Sequence, residues 1–170
     1  MARVHTRSYL DGLFSLRNES AWLDVDTTAV SPGSIGAAEV AAGTALAAVE
    51  AVVSGHTGNA FAVLRPPGHH AESVRARGFC LFNNVAVAAA HAQAQLGCKR
   101  VLIIDWDAHH GNGTQEIFWA DPDTMFFDIH REAPFYPGSG ALTDIGAGLG
   151  EGTTVNVPMP GGAGDVAYLK

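Results

Sequence analysis

At 170 residues, 47% hydrophobic and 16% charged, the chain has one domain's worth of sequence and enough apolar material for a packed core, which excludes a disordered polymer. A formal charge of −7 argues against a nucleic-acid backbone or an anionic membrane as partner and suits a cationic ligand better. The two cysteines, Cys80 and Cys98, lie far apart with no metal-type pairing, so a reducing cytosol is the expected compartment.

The opening MARVHTRSYL has no apolar signal core, and residues 1–31 are mixed and point to no single element. Ser31-Pro32-Gly33-Ser34 predicts a turn and a helix start. A helix follows over 37–53, stopped by Gly55; it is alanine-rich and interrupted by Glu39, Gly43, Thr44 and Glu50, which fits a packed helix better than a membrane span. Residues 61–64 (Phe-Ala-Val-Leu) predict a short buried strand, ended by the loop Arg65-Pro66-Pro67-Gly68. Asn83 and Asn84 offer caps for a helix over 85–96, closed by Gly97.

Val101-Leu-Ile-Ile104 is a continuous apolar run, as expected of a parallel strand covered on both faces. A helix near 114–119, a strand over 124–130, a glycine-rich loop over 138–152 and a strand over 154–157 complete the pattern. Strands alternating with helices predict an α/β fold with a parallel sheet.

In such sheets ligands bind beyond the carboxyl ends of the strands. Both polar clusters of this sequence fall there: His69-His70 after the 61–64 run, and Asp105-Trp106-Asp107-Ala108-His109-His110 after the 101–104 run. Asp105, Asp107 and His109 alternate, and in extended backbone such positions point to one side. Three polar side chains on one face are costly unless something binds them, and a divalent cation would offset that cost. Asp107 and His109 form the natural ligand pair, one carboxylate oxygen and one imidazole nitrogen; that set suits zinc, with Fe(II) or Co(II) as other fits. Asp105 then sits deeper as a hydrogen-bonding carboxylate. The plainer alternative is a strand end with solvated polar residues.

His69-His70 sit in a loop stiffened by two prolines. Adjacent histidines there can supply a general base and an electrostatic partner near neutral pH. A surface pair, or a metal-binding pair without catalysis, fits the same five residues. Each catalytic histidine needs a partner on its far nitrogen. Asp105 is a candidate for one and Asn112 for the other, and an Asn orients its histidine without raising its pKa as a carboxylate would.

Taken together, Leu64-Arg-Pro-Pro-Gly-His-His-Ala71, Gly78-Phe-Cys-Leu-Phe-Asn-Asn84, the run from Val101 through Asp-Trp-Asp-Ala-His-His-Gly-Asn-Gly to Thr114, and Phe135-Tyr-Pro-Gly-Ser-Gly140 resemble the histone deacetylase superfamily. The Arg-Pro-Pro-Gly-His-His form and Asn112 resemble its class II branch and the acetylpolyamine amidohydrolases. The resemblance implies a three-layer α/β fold with a mainly parallel sheet, related to arginase, and zinc-dependent hydrolysis of an acetylated lysine or amine. It assigns Asp107 and His109 to two of three zinc ligands, His70 to the general base, His69 to the electrostatic partner, Asp105 to the orienting carboxylate of the first histidine, and Asn112 to the place beside the second. Phe79 and Tyr136 match the aromatic pair of the acyl-lysine tunnel, Gly78 a glycine whose carbonyl meets the substrate amide, and Thr27 a polar rim residue. A structural potassium site is implied at the backbone carbonyls of Asp105, Asp107 and His109 with Asp128 and Ile129. The implied substrates are acetyl-lysine peptides or proteins and acetylated polyamines, with no direct nucleic-acid or membrane partner.

The resemblance also implies a third zinc ligand in a Gly-Phe-Asp-Ala-His-like segment and a tyrosine in a late glycine-rich motif, and neither is found between residues 1 and 170. The expectation is a single partial catalytic domain whose isolated chain hydrolyses little or nothing, with a non-catalytic fragment as the alternative reading. An incomplete sheet would expose an unpaired edge that invites association, homo-oligomers included.

Overall fold

The computed structural model describes residues 1–25 and 27–169. It opens with α1 (Arg7–Ser15), capped by the Thr6 hydroxyl, which accepts from the Tyr9 N–H; its Leu10 and Leu13, one turn apart, enter the core. An antiparallel ribbon of β1 (Ala21–Trp22) and β2 (Ala29–Val30) follows. Then come α2 (Ser34–Val53), α3 (Asn84–Leu96), β3 (Val101–Asp105), α4 (Asn112–Phe118), β4 (Thr124–Arg131), β5 (Thr154–Met159) and the short α5 (Asp165–Tyr168).

By length and composition α2 is apolar enough to cross a membrane. Here its Ile35, Ala38, Ala41, Ala42 and Ala45 are buried, and it packs against α3, whose Ala86, Val87, Ala88, Ala89 and Ala92 are buried in turn. The side chain of Asn83 caps α3 by accepting from the Ala86 N–H at 3.1 Å. Ion pairs Arg17–Glu39 (2.7 Å) and His91–Glu50 (2.8 Å) tie the outer side of α2 to its surroundings.

β3, β4 and β5 form a parallel sheet in sequence order, and α4 is the crossover between the first two. The register places Ile103, Phe126 and Thr154 side by side, then Asp105, Asp128 and Asn156 one step nearer the carboxyl ends. Phe126 is fully buried and anchors a cluster with Ile103, Phe118, Val87 and Ala89. The first row, buried throughout, thus fixes the sheet against the helices, and the polar row above it opens the functional end.

Two expectations fail here. Among the described residues, 61–64 pair with no strand, and Phe61 and Val63 are 92% and 86% exposed rather than buried. β3 is not covered on both faces: Leu102 and Ile104 are more than half exposed, and Met125 beside them is 42% exposed. Both departures share a cause. The 60–64 segment and Ile104 face each other across an open cleft of about 580 Å3 floored by Ala45 and Val85, so no described neighbour supplies the ladder or the cover that an apolar run normally finds.

Candidate active site

The site is built where the His69-His70 loop meets the end of β3. The loop is held by backbone bonds to the start of α4: the N–H groups of Gly113 and Thr114 donate to the His69 carbonyl at 3.0 and 3.2 Å. Gly113 has to be glycine, because a Cβ there would stand 2.2 Å from the Ala71 carbonyl oxygen. This close approach brings Asn112 to His70.

Each histidine has its own partner. His69 Nδ1 lies 2.8 Å from Asp105 Oδ2, and His70 Nδ1 lies 2.8 Å from Asn112 Oδ1. The two rings are 4.0 Å apart. Burial works against a charge on His69, yet the Asp105 carboxylate, with Asp107 and Asp128 behind it, raises its pKa. Burial, with His69 and His109 nearby and only a neutral amide as partner, lowers His70 to about 4. Neighbouring histidines therefore carry opposite tendencies, one toward imidazolium and one toward neutral imidazole.

Beyond Asp105 the backbone is not the extended run its alternation predicts. It bends through local hydrogen bonds, the Asp107 N–H to Asp105 Oδ1 (3.0 Å) and the His109 N–H to Asp107 Oδ1 (2.8 Å). The bend sets Asp107 Oδ1 3.0 Å from His109 Nδ1, both partly open to solvent. One carboxylate oxygen and one imidazole nitrogen so placed can share a divalent cation, so the donor chemistry fits half of a zinc site. Among the described residues no group of three or more His, Cys, Asp and Glu side chains converges to complete it. The carboxylate of Asp128, fully buried, accepts from the Gly111 N–H (2.7 Å) and from His130 Nδ1 (2.7 Å).

The expected tunnel residues surround these groups. Tyr136 meets His70 edge-on at 5.0 Å and His109 at 6.1 Å. Phe79 is 64% exposed and held in the left-handed region (φ 67°), a strained setting secured by its N–H bond to Thr28 Oγ1 at 3.0 Å. Gly78 (φ 53°) packs so close to His70 that a Cβ would fall 2.2 Å from the ring; its carbonyl receives the Cys80 thiol. Thr27 does not stand free at the rim: its hydroxyl accepts from the Gly78 N–H at 3.2 Å and donates to Asp24 Oδ2 at 2.8 Å. Ile129 lies on β4 beside Asp128.

Three contributors carry no signal of their own in the sequence. Phe135 stacks on His109 at 4.5 Å, and the Arg131 guanidinium lies 4.6 Å from the centre of the Phe135 ring. Thr28 holds Phe79, as above. Glu72 joins the His70 side of the site through Asn112 Nδ2 at 2.8 Å. Only Phe135 lay within a recognisable motif, and nothing there separated it from a packing aromatic.

Fold and site define a parallel-sheet α/β domain with paired histidines beside a carboxylate–imidazole donor pair. A histone deacetylase domain model matches residues 1–170, and the chain belongs to that family. It is 43% identical over 178 residues to the chloroplastic histone deacetylase 14 of Arabidopsis thaliana, covering 98% of this chain and 42% of that protein. It is 40% identical over 170 residues to the histone deacetylase-like amidohydrolase of Pseudomonas aeruginosa, covering 100% and 45%. Among solved structures, an acetylpolyamine aminohydrolase from Burkholderia pseudomallei superposes with a TM-score of 0.92 at 34% identity, covering 99% of this chain and 58% of that one. The chain thus spans less than half the length of these two curated relatives.

Proposed function

We propose that the protein hydrolyses the amide of an acetylated lysine or acetylated polyamine, giving acetate and a free amine, with zinc held by Asp107 and His109 and by donors beyond the described residues. The observation that carries this reading is the unequal pair, His69 on Asp105 and His70 on Asn112, set beside the Asp107–His109 donors. Zinc, when bound, would polarise the acetyl carbonyl and lower the pKa of the attacking water. His70, kept neutral by burial, takes the proton from that water at Nε2. His69, drawn toward the charged form by Asp105, stabilises the developing oxyanion, and the protonated histidine pair then delivers a proton to the amine nitrogen as the C–N bond breaks. Tyr136 and Phe79 flank the acyl chain, Gly78 offers its carbonyl to the substrate amide, and Thr27 braces Gly78. Main-chain carbonyls around Asp105, Asp107, His109, Asp128 and Ile129 would take a structural potassium ion. Unpaired Cys80 and Cys98 support a reducing compartment such as the cytosol.

Two donors hold a cation weakly, which favours a second reading of this 170-residue chain as a catalytically incompetent part of such an enzyme. Dialysis against buffered zinc, followed by acetate release from an acetyl-lysine peptide and from an acetylpolyamine, separates the two. The enzyme reading expects slow, zinc-dependent release that His70→Ala lowers at least ~100-fold. Release insensitive to His70→Ala sinks it, and the absence of both zinc and release supports the second reading.

The open face and edge of β3 support self-association. Sedimentation at rising concentration is expected to show reversible growth in mass that Leu102→Lys suppresses; a strictly monomeric chain at high concentration counts against it.

A further inference from the structure

Glu72 lies two residues beyond His70 and its carboxylate is 14% exposed. Four donors converge on it. Oε1 accepts from Asn112 Nδ2 at 2.8 Å and from an Arg77 nitrogen at 2.9 Å, while Oε2 accepts from two Arg75 nitrogens at 3.1 and 2.8 Å. Burial works against the charge, but Arg77 and Arg75 hold the carboxyl below its ordinary range, so it stays an ion.

An ionised carboxylate can only accept. It therefore selects which end of the Asn112 amide faces it: the Nδ2 group turns to Glu72, and Oδ1 is left facing His70. That oxygen also only accepts, so the proton of neutral His70 must sit on Nδ1. The lone pair is then on Nε2, the atom that a general base uses. With the amide reversed, Oδ1 would oppose the carboxylate, Nδ2 would donate to His70 Nδ1, and Nε2 would carry the proton and be unable to take another. The same Glu72 also accepts, through its main-chain carbonyl, from His5 Nδ1 at 3.0 Å, which pins its own backbone.

We propose that Glu72 is a positioning residue that fixes the orientation of the Asn112 amide and, through it, the tautomer of His70. This inference rests on the reading of His70 as the general base, but its primary readout does not. Imidazole 15N NMR at neutral pH, with the His70 resonances assigned by their loss in His70→Ala, reports which ring nitrogen is protonated. The intact chain is expected to show the Nδ1–H form. In Glu72→Gln the single oxygen is contested between Arg75 and the Arg77–Asn112 side, so part of the molecules should present an amide N–H to Asn112, against the weaker pull of the His70 carbonyl on Asn112 Nδ2 at 3.4 Å, and the Nε2–H form should become measurable. Glu72→Asp keeps an acceptor-only group and is expected to retain Nδ1–H. An unchanged tautomer in a folded Glu72→Gln protein, or equal loss in Glu72→Asp, overturns the inference. A tautomer shift without any hydrolysis leaves it standing and removes the proposed activity instead; His70-dependent hydrolysis with no tautomer shift does the reverse.

Discussion

Acidification is expected to remove about 3 kcal/mol of stability through one side chain, His5, as pH falls from 6.5 toward 4. His5 is 3% exposed and bridges two distant segments. Its Nε2 lies 3.0 Å from the Asn83 N–H, which can only donate, so Nε2 accepts and Nδ1–H donates to the Glu72 carbonyl at 3.0 Å. Protonation would set an N–H against an N–H. Burial first, and the Met1 amino group beside it, lower the folded pKa to about 4 from 6.5. The sign follows directly. Between these values the unfolded chain binds more protons, so the contribution is fully present above pH 6.5 and is lost as pH falls to about 4. His70, also lowered to about 4, acts in the same direction, whereas His69, raised, acts oppositely. Urea midpoints at pH 7.5 and 4.5 check this. His5→Gln should be weaker at the higher pH and show a flatter dependence; parallel slopes for the two proteins contradict the assignment.

Gly113→Ala is expected to lower stability by about 3 kcal/mol, roughly 10 °C in Tm for a chain of this size. The added Cβ would meet the Ala71 carbonyl oxygen at 2.2 Å, its carbon at 2.5 Å and the His70 carbonyl carbon at 2.7 Å. All three are backbone atoms, so no side chain can swing aside. Relief requires α4 to move off the histidine loop, which stretches the Gly113–His69 bond and withdraws Asn112 from His70. The loss should therefore appear both in thermal melting and in the His70 imidazole signals. Gly43→Ala provides the contrast: nothing lies within 4 Å of its added Cβ on an exposed stretch of α2, so helix propensity should stabilise it by up to ~1 kcal/mol. If both variants melt alike, the close approach at Gly113 is not what the fold depends on.

The locations of most elements were legible because their signals are local. Asn83 and Gly97 bracket α3 in sequence as they do in space, and the apolar run 101–104 lies within β3. The helix foreseen over 37–53 begins three residues earlier, at Ser34, because the turn 31–34 feeds it directly. α1 went unassigned: its two core leucines are too few to stand out from a mixed segment. The 61–64 run looked like a strand because periodicity reports apolarity, not whether a partner is present.

By itself the sequence determined the family-bearing chemistry: histidines after a stiff loop, a carboxylate at a strand end, Asp107 next but one to His109, and the glycine-flanked Asn112. Those are short-range facts, fixed by which residues adjoin which. Residue types alone left open which histidine takes the carboxylate; the family resemblance gave it to His69 and the amide to His70, as the tertiary structure places them, and only the tertiary structure decided that Asp105 and Asp128 are neighbours across the sheet and that Glu72 and His5 stand behind the site. These pairings join residues 36, 42, 23, 40 and 67 positions apart, and nothing local distinguishes the partner chosen from others of the same type. They are set by the register of β3 on β4 and by the glycine contact that seats α4 against the histidine loop. The protonation behaviour of the two histidines follows from burial and from those partners, so it too belongs to the fold.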